Sequence, residues 1–189
     1  PLAKKARGLS RVLKNKGGLY VLDDRTYIPH ITLYMAEFPI KNIPEIRKRI
    51  KDCLKGVNSF NLKSVKYRQN KFGFIDVSYV KTREINKLQN KVIKALNPLR
   101  EGMLDKTTKG YFSRLSEEQR SNFKSFGYDG VGKKFVPHLT FSKLKRFNNS
   151  ALSNIVESDF SFKVRKLGLF REGSHYTCSE PVAAFTLPK

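Results

Sequence analysis

The sequence has few of the residues that build disulfide frameworks, metal centres or membrane spans. It contains only two cysteines, Cys53 and Cys178, whose separation matches no zinc-binding or redox motif and leaves their pairing open. No apolar run approaches the roughly 20 residues of a membrane-spanning helix, and the acidic residues form no cluster that would hold a divalent cation. We therefore expect a protein without a membrane span, a metal or a cofactor.

No signal-peptide pattern is visible at the N-terminus. We therefore expect a cytoplasmic protein. The chain begins with Pro1 rather than Met, so a removed N-terminal segment stays open.

Negative charge is also scarce, because 38 lysines and arginines face only 16 aspartates and glutamates, a formal net charge of +22. The basic residues, such as Lys4, Lys133 and Arg146, are spread along the chain rather than collected in a tail, so we expect a broad positive surface. Such a surface favours nucleic acid as the partner. An anionic membrane surface is the alternative partner. A compositional bias of the genome would explain the positive charge without any binding partner.

One short pattern occurs twice in the chain. Pro-His-Ile-Thr-Leu at 29–33 and Pro-His-Leu-Thr-Phe at 137–141 contain two of the three histidines. Because alternate side chains of a strand share a face, each copy would direct an imidazole and a hydroxyl to one surface and its apolar residues into a core. Two such strands facing each other across a cleft suit acid–base chemistry on a phosphate ester.

Hydrophobic periodicity predicts the same order of elements, strand–helix–strand–strand, after each copy of the pattern. The predicted helices cover 2–16, 44–55, 82–100, 116–126 and 149–157, and the predicted strands cover 30–37, 58–67, 72–80, 137–143, 160–170 and 181–187. Residues 101–133 interrupt this order as an excursion, either a lid or substrate loop or a plain surface insertion.

This order predicts an α+β fold of two pseudo-symmetric lobes. Each lobe would be an antiparallel sheet with helices on its outer face, and the active-site cleft would lie between the lobes. Together the lobes would form a single bilobal domain over residues 1–189.

The repeated His-x-Thr pattern resembles the signature of the 2H phosphoesterase superfamily, which includes the RNA 2′,3′-cyclic phosphodiesterases, also called 2′-5′ RNA ligases. The resemblance rests on both motifs, their wide separation, the repeated order of elements and a closing strand near Phe185. It implies that His30 and His138 form the catalytic pair. It also implies that Thr32 and Thr140 bind the substrate phosphate.

Two further positions are candidates. Lys143 stands five residues after His138, where the family often has an arginine that would anchor phosphate. On a regular strand this odd offset turns Lys143 away from the histidine, so the role needs a bend or bulge, and a solvated strand-end lysine is the alternative. Tyr176 precedes the last predicted strand, and it would either stack on a base or pack as a turn residue.

The resemblance implies metal-independent hydrolysis of RNA ends with a 2′,3′-cyclic phosphate, or reversible cleavage and joining of 2′-5′ linkages. One neutral imidazole would take a proton from water while the other, protonated, gives one to the leaving ribose oxygen. Family habit makes His30 the acid and His138 the base. We expect a monomer that acts on RNA or an oligonucleotide.

Two alternatives stay open. One is a phosphodiesterase for small cyclic or 2′-5′-linked signalling nucleotides, in which case the charge reflects composition alone. The other is a non-catalytic RNA-binding module.

Overall fold

The computed structural model describes residues 2–104, 112–147, 152–153, 155 and 158–188. These residues form two compact units, and the chain passes back and forth between them. Unit 1 comprises Pro1–Ile31, Ser59–Val80 and Pro137–Lys189, and unit 2 comprises Thr32–Asn58 and Lys81–Val136.

Among its described residues, unit 1 contains one α-helix and all of the strands. They are α1 (Leu2–Asn15), β1 (Phe60–Leu62), β2 (Ser64–Gln69), β3 (Phe74–Tyr79), β4 (His138–Lys143), β5 (Phe162–Val164), β6 (Lys166–Glu172) and β7 (Cys178–Thr186). The strands pair antiparallel in three sheets, ordered β2-β3-β4, β1-β5 and β6-β7. In the turn between β2 and β3, Gly73 has a φ of 85°, and a Cβ there would lie 2.5 Å from the Leu144 carbonyl oxygen. Only glycine fits this turn.

The core of unit 1 lies on one side of the β2-β3-β4 sheet. Helix α1 lies against β4, where the buried Ser10 hydroxyl donates to the Phe141 carbonyl oxygen at 2.7 Å. The Phe141 ring packs against the rings of Tyr67 and Phe160 at centroid distances of 5.8 and 5.0 Å. This aromatic cluster fixes which face of β4 is buried, and it leaves the opposite face to the polar side chains of the strand.

Unit 2 contains the helices α2 (Ile43–Cys53), α3 (Arg83–Leu96) and α4 (Glu117–Phe126). The first two pack on each other. The Thr82 hydroxyl caps α3 by accepting from the Ile85 N–H. Helix α4 begins with a capping box formed by Ser116 and Gln119, and it ends at Gly127 in the left-handed conformation.

The predicted α+β class with antiparallel sheets is confirmed. The predicted helices over 2–16, 44–55 and 82–100 correspond to α1, α2 and α3. Two strand predictions cover more than one observed strand: 58–67 divides into β1 and β2, and 160–170 divides into β5 and β6. Both cysteines are free, so neither forms a disulfide.

The strand predicted over 30–37 is wrong. Ile31 alone in this range makes a β-bridge, to Leu139. From Thr32 onward the chain belongs to unit 2, where the buried amide of Gln89 donates to the Leu33 carbonyl oxygen at 3.0 Å. The Leu33 carbonyl oxygen therefore accepts its hydrogen bond from a side chain and not from the backbone of a neighbouring strand.

Three other predictions concern the helix over 149–157, the excursion over 101–133 and the two lobes. Most of the helix predicted over 149–157 lies outside the described residues, as does 105–111 within the excursion. The rest of the excursion contains α4. All described strands lie in unit 1, and the pseudo-symmetric lobes and the single bilobal domain stay predictions.

Candidate active site

The segment that carries His30 is held at two points within unit 1. Ile28 forms an antiparallel bridge with Cys178 at the start of β7, and its N–H donates to the Cys178 carbonyl oxygen at 3.0 Å. Three residues later, Ile31 forms an antiparallel bridge with Leu139 in β4. His30 lies between these two bridges, so the fold sets its position by backbone pairing on both sides.

One hydrogen bond determines the tautomer of His30. Its ring Nδ1 lies 2.8 Å from the Ile28 carbonyl oxygen. Because a carbonyl oxygen only accepts, Nδ1 carries the proton, and the neutral ring presents an unprotonated Nε2. His30 is partly buried, and this burial, with a smaller contribution from repulsion by the His138 charge, lowers its pKa. The neutral form, which can act as a base, is therefore favoured.

The second motif forms the first half of β4. The bridge between Ile31 and Leu139 makes His30 and Thr140 the next opposed pair. Leu139 is buried on the core side, so the side chains of His30, His138 and Thr140 lie on the other side. The structure brings these three side chains to one face of unit 1.

A β-bulge at Phe141 decides the orientation of Lys143. On β3, Ile75 pairs with Ser142 of β4 and the next residue, Asp76, pairs with Thr140. Phe141 between them has no partner and is the additional residue of the bulge. Phe141 and Ser142 are both buried. The bulge reverses the alternation of side chains and returns Lys143 to the face that carries His138. The odd offset therefore does not exclude a phosphate-anchoring role for Lys143.

Two aromatic rings lie at the Lys143 end of this face. The Lys143 Nζ lies 4.7 Å from the ring centroid of Phe74, its cross-strand partner on β3. The Tyr176 ring lies 6.4 Å from the same ring. Tyr176 and His175 both have a φ near 60°, which is uncommon for residues other than glycine and is frequent at functional sites. The structure brings Tyr176 and Lys143 to the same end of the face.

Sequence analysis missed an ion pair on this face. Asp76 on β3 is 1% exposed, and the Nε and Nη2 atoms of Arg68 on β2 each lie 2.8 Å from its Oδ1. Burial raises the pKa of the Asp76 carboxyl, while attraction to His138 and to Arg68 opposes this rise. A signal was present in the sequence: Asp76 is the one acid within the apolar run 72–80, and a buried acid needs a cationic partner.

The predicted site residues divide between the two units. His30, His138, Thr140, Lys143 and Tyr176 belong to unit 1, whereas Thr32 is the first residue of unit 2. Among the described residues, no group of three or more His, Cys, Asp or Glu side chains could hold a metal ion. No helix in the described part of the chain is long and apolar enough to cross a membrane.

Comparison with known proteins points to a phosphoesterase fold. The sequence model of the 2′-5′ RNA ligase superfamily matches residues 20–175, and no curated protein matches the chain. A crystal structure of a phosphoesterase has a TM-score of 0.55 and 12% identity, covering 100% of this chain and 94% of that chain. E. coli LigT in complex with NADP+ has a TM-score of 0.50 and 13% identity, covering 98% of this chain and 92% of that chain. At such identities the two structures show a shared fold.

Proposed function

The chain belongs to the 2′-5′ RNA ligase superfamily, and from this premise we propose that it is a metal-independent phosphodiesterase that hydrolyses 2′,3′-cyclic phosphate ends of RNA. Membership supports an activity of the phosphoesterase or ligase type. The observation that carries the finer proposal is the pair His30 and His138 on one face of unit 1, with the His30 Nε2 unprotonated. In the opposite direction the same pair would cleave or join 2′-5′ linkages.

The two histidines have different surroundings, which supports different roles. The Ile28 carbonyl oxygen holds the Nδ1 proton of His30, so its Nε2 would take a proton from the attacking water. His138 lies opposite Ser78 on β3 and diagonal to Asp76, and it would donate a proton to the leaving ribose oxygen. This assignment, with His30 as base and His138 as acid, is the reverse of the one that the resemblance implied.

In this reaction a bond forms between the water oxygen and phosphorus while one bond from phosphorus to a ribose oxygen breaks. His30 gains the proton that water loses, and His138 loses the proton that the ribose oxygen gains. The hydroxyl of Thr140 would donate to the non-bridging oxygens, where charge develops in the transition state. The Lys143 ammonium would add positive charge at the same oxygens.

Charge and exposed rings support RNA as the substrate. The net charge is +22. On the β2 side of unit 1, a cavity of about 400 Å³ is lined by Lys66, Arg68 and Phe147, and Phe147 is 55% exposed. Cations for phosphates beside a ring for bases suit a single strand, and Tyr176 would offer a second ring near the reacting phosphate.

A second candidate ligand of the same site is a small nucleotide with a 2′-phosphate. The specific observation is that LigT, which shares the fold, was crystallised with NADP+. NADP+ carries a phosphate on a ribose 2′-oxygen, as the product of the proposed hydrolysis would. In this case NADP+ would bind where RNA ends bind and inhibit their hydrolysis.

A substrate panel tests the proposed function. The panel consists of 2′,3′-cyclic AMP, RNA ending in a 2′,3′-cyclic phosphate, 2′-5′ oligoadenylate and a cyclic dinucleotide, each with and without NADP+. We expect the highest kcat/KM for the cyclic-phosphate RNA, whose terminal phosphate becomes a monoester. Turnover of the cyclic dinucleotide alone would favour the signalling alternative, and turnover of none would favour the RNA-binding module.

Activity should be insensitive to chelators. Since the imidazoles perform both proton transfers, we expect excess EDTA to leave the initial rate on cyclic-phosphate RNA unchanged. A metal-dependent nuclease treated in parallel serves as the control that chelation was complete. A rate that falls with EDTA and returns with one equivalent of a divalent cation would contradict the metal-independent mechanism.

A further inference from the structure

We propose that the exposed face of helix α1 is a second RNA-binding surface, which holds the part of the substrate strand that leads away from the reacting end. This inference rests on the proposed function for the identity of the substrate. The sequence model of the superfamily begins at residue 20, so α1 precedes the matched region, and membership of the superfamily gives the helix no role.

Positive charge is arranged in a stripe along α1. Four basic residues follow one another at intervals of three or four, and they are Lys4, Arg7, Arg11 and Lys14. Residues at such intervals are neighbours on a helix surface, so the four form one stripe about 15 Å long. No acidic residue occurs in or before α1, and the first one in the chain is Asp23. The stripe therefore carries charge of one sign only.

This arrangement is unfavourable for the protein alone. Like charges three or four residues apart on a helix repel each other and destabilise it. Among the described residues, Arg7 is the one member of the stripe that forms an ion pair, with the carboxylate of Asp24. The exposed side chains of Lys4, Arg11 and Lys14 have no such compensation. A polyanion along the stripe would remove the repulsion and release its own counterions.

The stripe is continuous with the face of unit 1 that carries His30 and His138, here called the histidine face. The Lys14 ammonium lies 3.5 Å from the Leu19 carbonyl oxygen, and the Leu19 N–H donates to the Lys143 carbonyl oxygen at 2.8 Å. The C-terminal end of α1 therefore lies beside the last residue of β4, whose side chain points to the histidine face. The next two basic residues, at positions 145 and 146, are exposed. Cations thus lead from the histidine face around the end of β4 to α1.

The position of α1 is fixed by close packing at this end. Gly18 forms an antiparallel bridge with Leu144, directly after β4. A Cβ at Gly18 would lie 2.6 Å from the Ser142 Oγ and 2.9 Å from the Leu13 carbonyl oxygen, so only glycine allows this approach. A surface that is already rigid loses little entropy when a ligand binds to it.

The exposed face of α1 fits RNA better than a membrane. A helix that lies on a membrane buries an apolar face among the lipids. In α1, Leu13 is 0% exposed and Leu9 is partly buried, so these side chains are directed into the protein. Val12, at 48% exposed, is the one exposed large apolar residue of the helix. Lysine and arginine without an apolar face are suited to phosphates.

Neutralising the stripe tests this inference. The variant with Lys4→Gln, Arg11→Gln and Lys14→Gln removes three charges and keeps long side chains that favour a helix. Fluorescence anisotropy at several KCl concentrations would measure its affinity for a single-stranded RNA of about 15 nucleotides without a cyclic phosphate, so that binding is observed without hydrolysis. Each lost phosphate contact lowers the slope of log affinity against log salt by about 0.7, so we expect a slope smaller by about 2.

A matched control removes the same charge elsewhere. The variant with Arg83→Gln, Lys87→Gln and Lys94→Gln changes three exposed residues of α3 in unit 2, and we expect its slope to stay near that of the wild type. An unchanged slope in the α1 variant overturns the inference, as do equal losses in the two variants. Weaker binding of the α1 variant to phosphatidylserine vesicles, with unchanged affinity for RNA, would also overturn it and identify a membrane as the partner.

Kinetics provide a second readout. In the α1 variant, the ratio of kcat/KM for cyclic-phosphate RNA of the same length to kcat/KM for 2′,3′-cyclic AMP should fall about tenfold or more, because a mononucleotide on the histidine face does not extend to α1. Hydrolysis of both substrates at the wild-type ratio overturns the inference alone. A wild-type protein that binds RNA through α1 but hydrolyses neither substrate overturns the proposed function and leaves the binding surface established.

Discussion

Replacement of either His30 or His138 by asparagine should lower kcat/KM for cyclic-phosphate RNA by about 10²–10⁴-fold. Asparagine is polar and of similar size, but it cannot exchange a proton near neutral pH, so the loss reports the proton transfer. The third histidine gives a matched control. His175 stacks on Tyr20 and has a φ of 60°, a conformation that asparagine tolerates, so His175→Asn should keep nearly full activity.

The double variant separates a cooperating pair from two independent contributions. Residues that act as one unit are not additive, so the variant with both His30 and His138 replaced should lose little more than the worse single variant. Thr140→Val should lower kcat/KM less than either histidine substitution, because a lost hydrogen bond to phosphate leaves proton transfer intact. Wild-type turnover in a folded His30→Asn or His138→Asn protein would contradict the site assignment.

Phe141→Ala should destabilise the protein by about 3–5 kcal/mol, measured as the free energy of unfolding in urea. Phe141 is 0% exposed and packs against Tyr67 and Phe160, so truncation loses buried area and leaves a cavity. Phe141 is also the bulge residue of β4. The loss should therefore be accompanied by disorder between His138 and Lys143.

The matched control for this variant is Phe147→Ala. Phe147 is 55% exposed, so its truncation should change the free energy of unfolding by no more than about 0.5 kcal/mol. Equal losses in the two variants would contradict the assignment of Phe141 to the core. Retained kcat/KM in folded Phe141→Ala would contradict the importance of the bulge for the site.

Several parts of this fold could be predicted because they depend on neighbours in the sequence. The capping box of α4 at Ser116 and Gln119 and the amphipathic spacing of α3 are local patterns, and both helices form where the sequence predicts. The β2-β3 hairpin, with its polar turn before Gly73, is also local. Each of these elements satisfies its backbone within a few residues.

The failures concern partners that are distant along the chain. Residues 30–37 have the alternation of a strand, but the Leu33 carbonyl oxygen pairs with the Gln89 side chain, which no local pattern reveals. The partner of Asp76 could not be chosen among many basic residues until the pairing of β2 with β3 placed Arg68 opposite it.

The sequence by itself determined the α+β class, the excess of positive charge and the two repeated His-x-Thr motifs, because these follow from composition and the period of side chains. The tertiary structure alone decided that the Nδ1 of His30 bonds to Ile28, that a bulge turns Lys143 to the face of His138, and that Asp76 pairs with Arg68 on the neighbouring strand. The physical reason is register: a shift of one residue moves a side chain to the opposite face of a sheet, and register is set by pairing between distant segments.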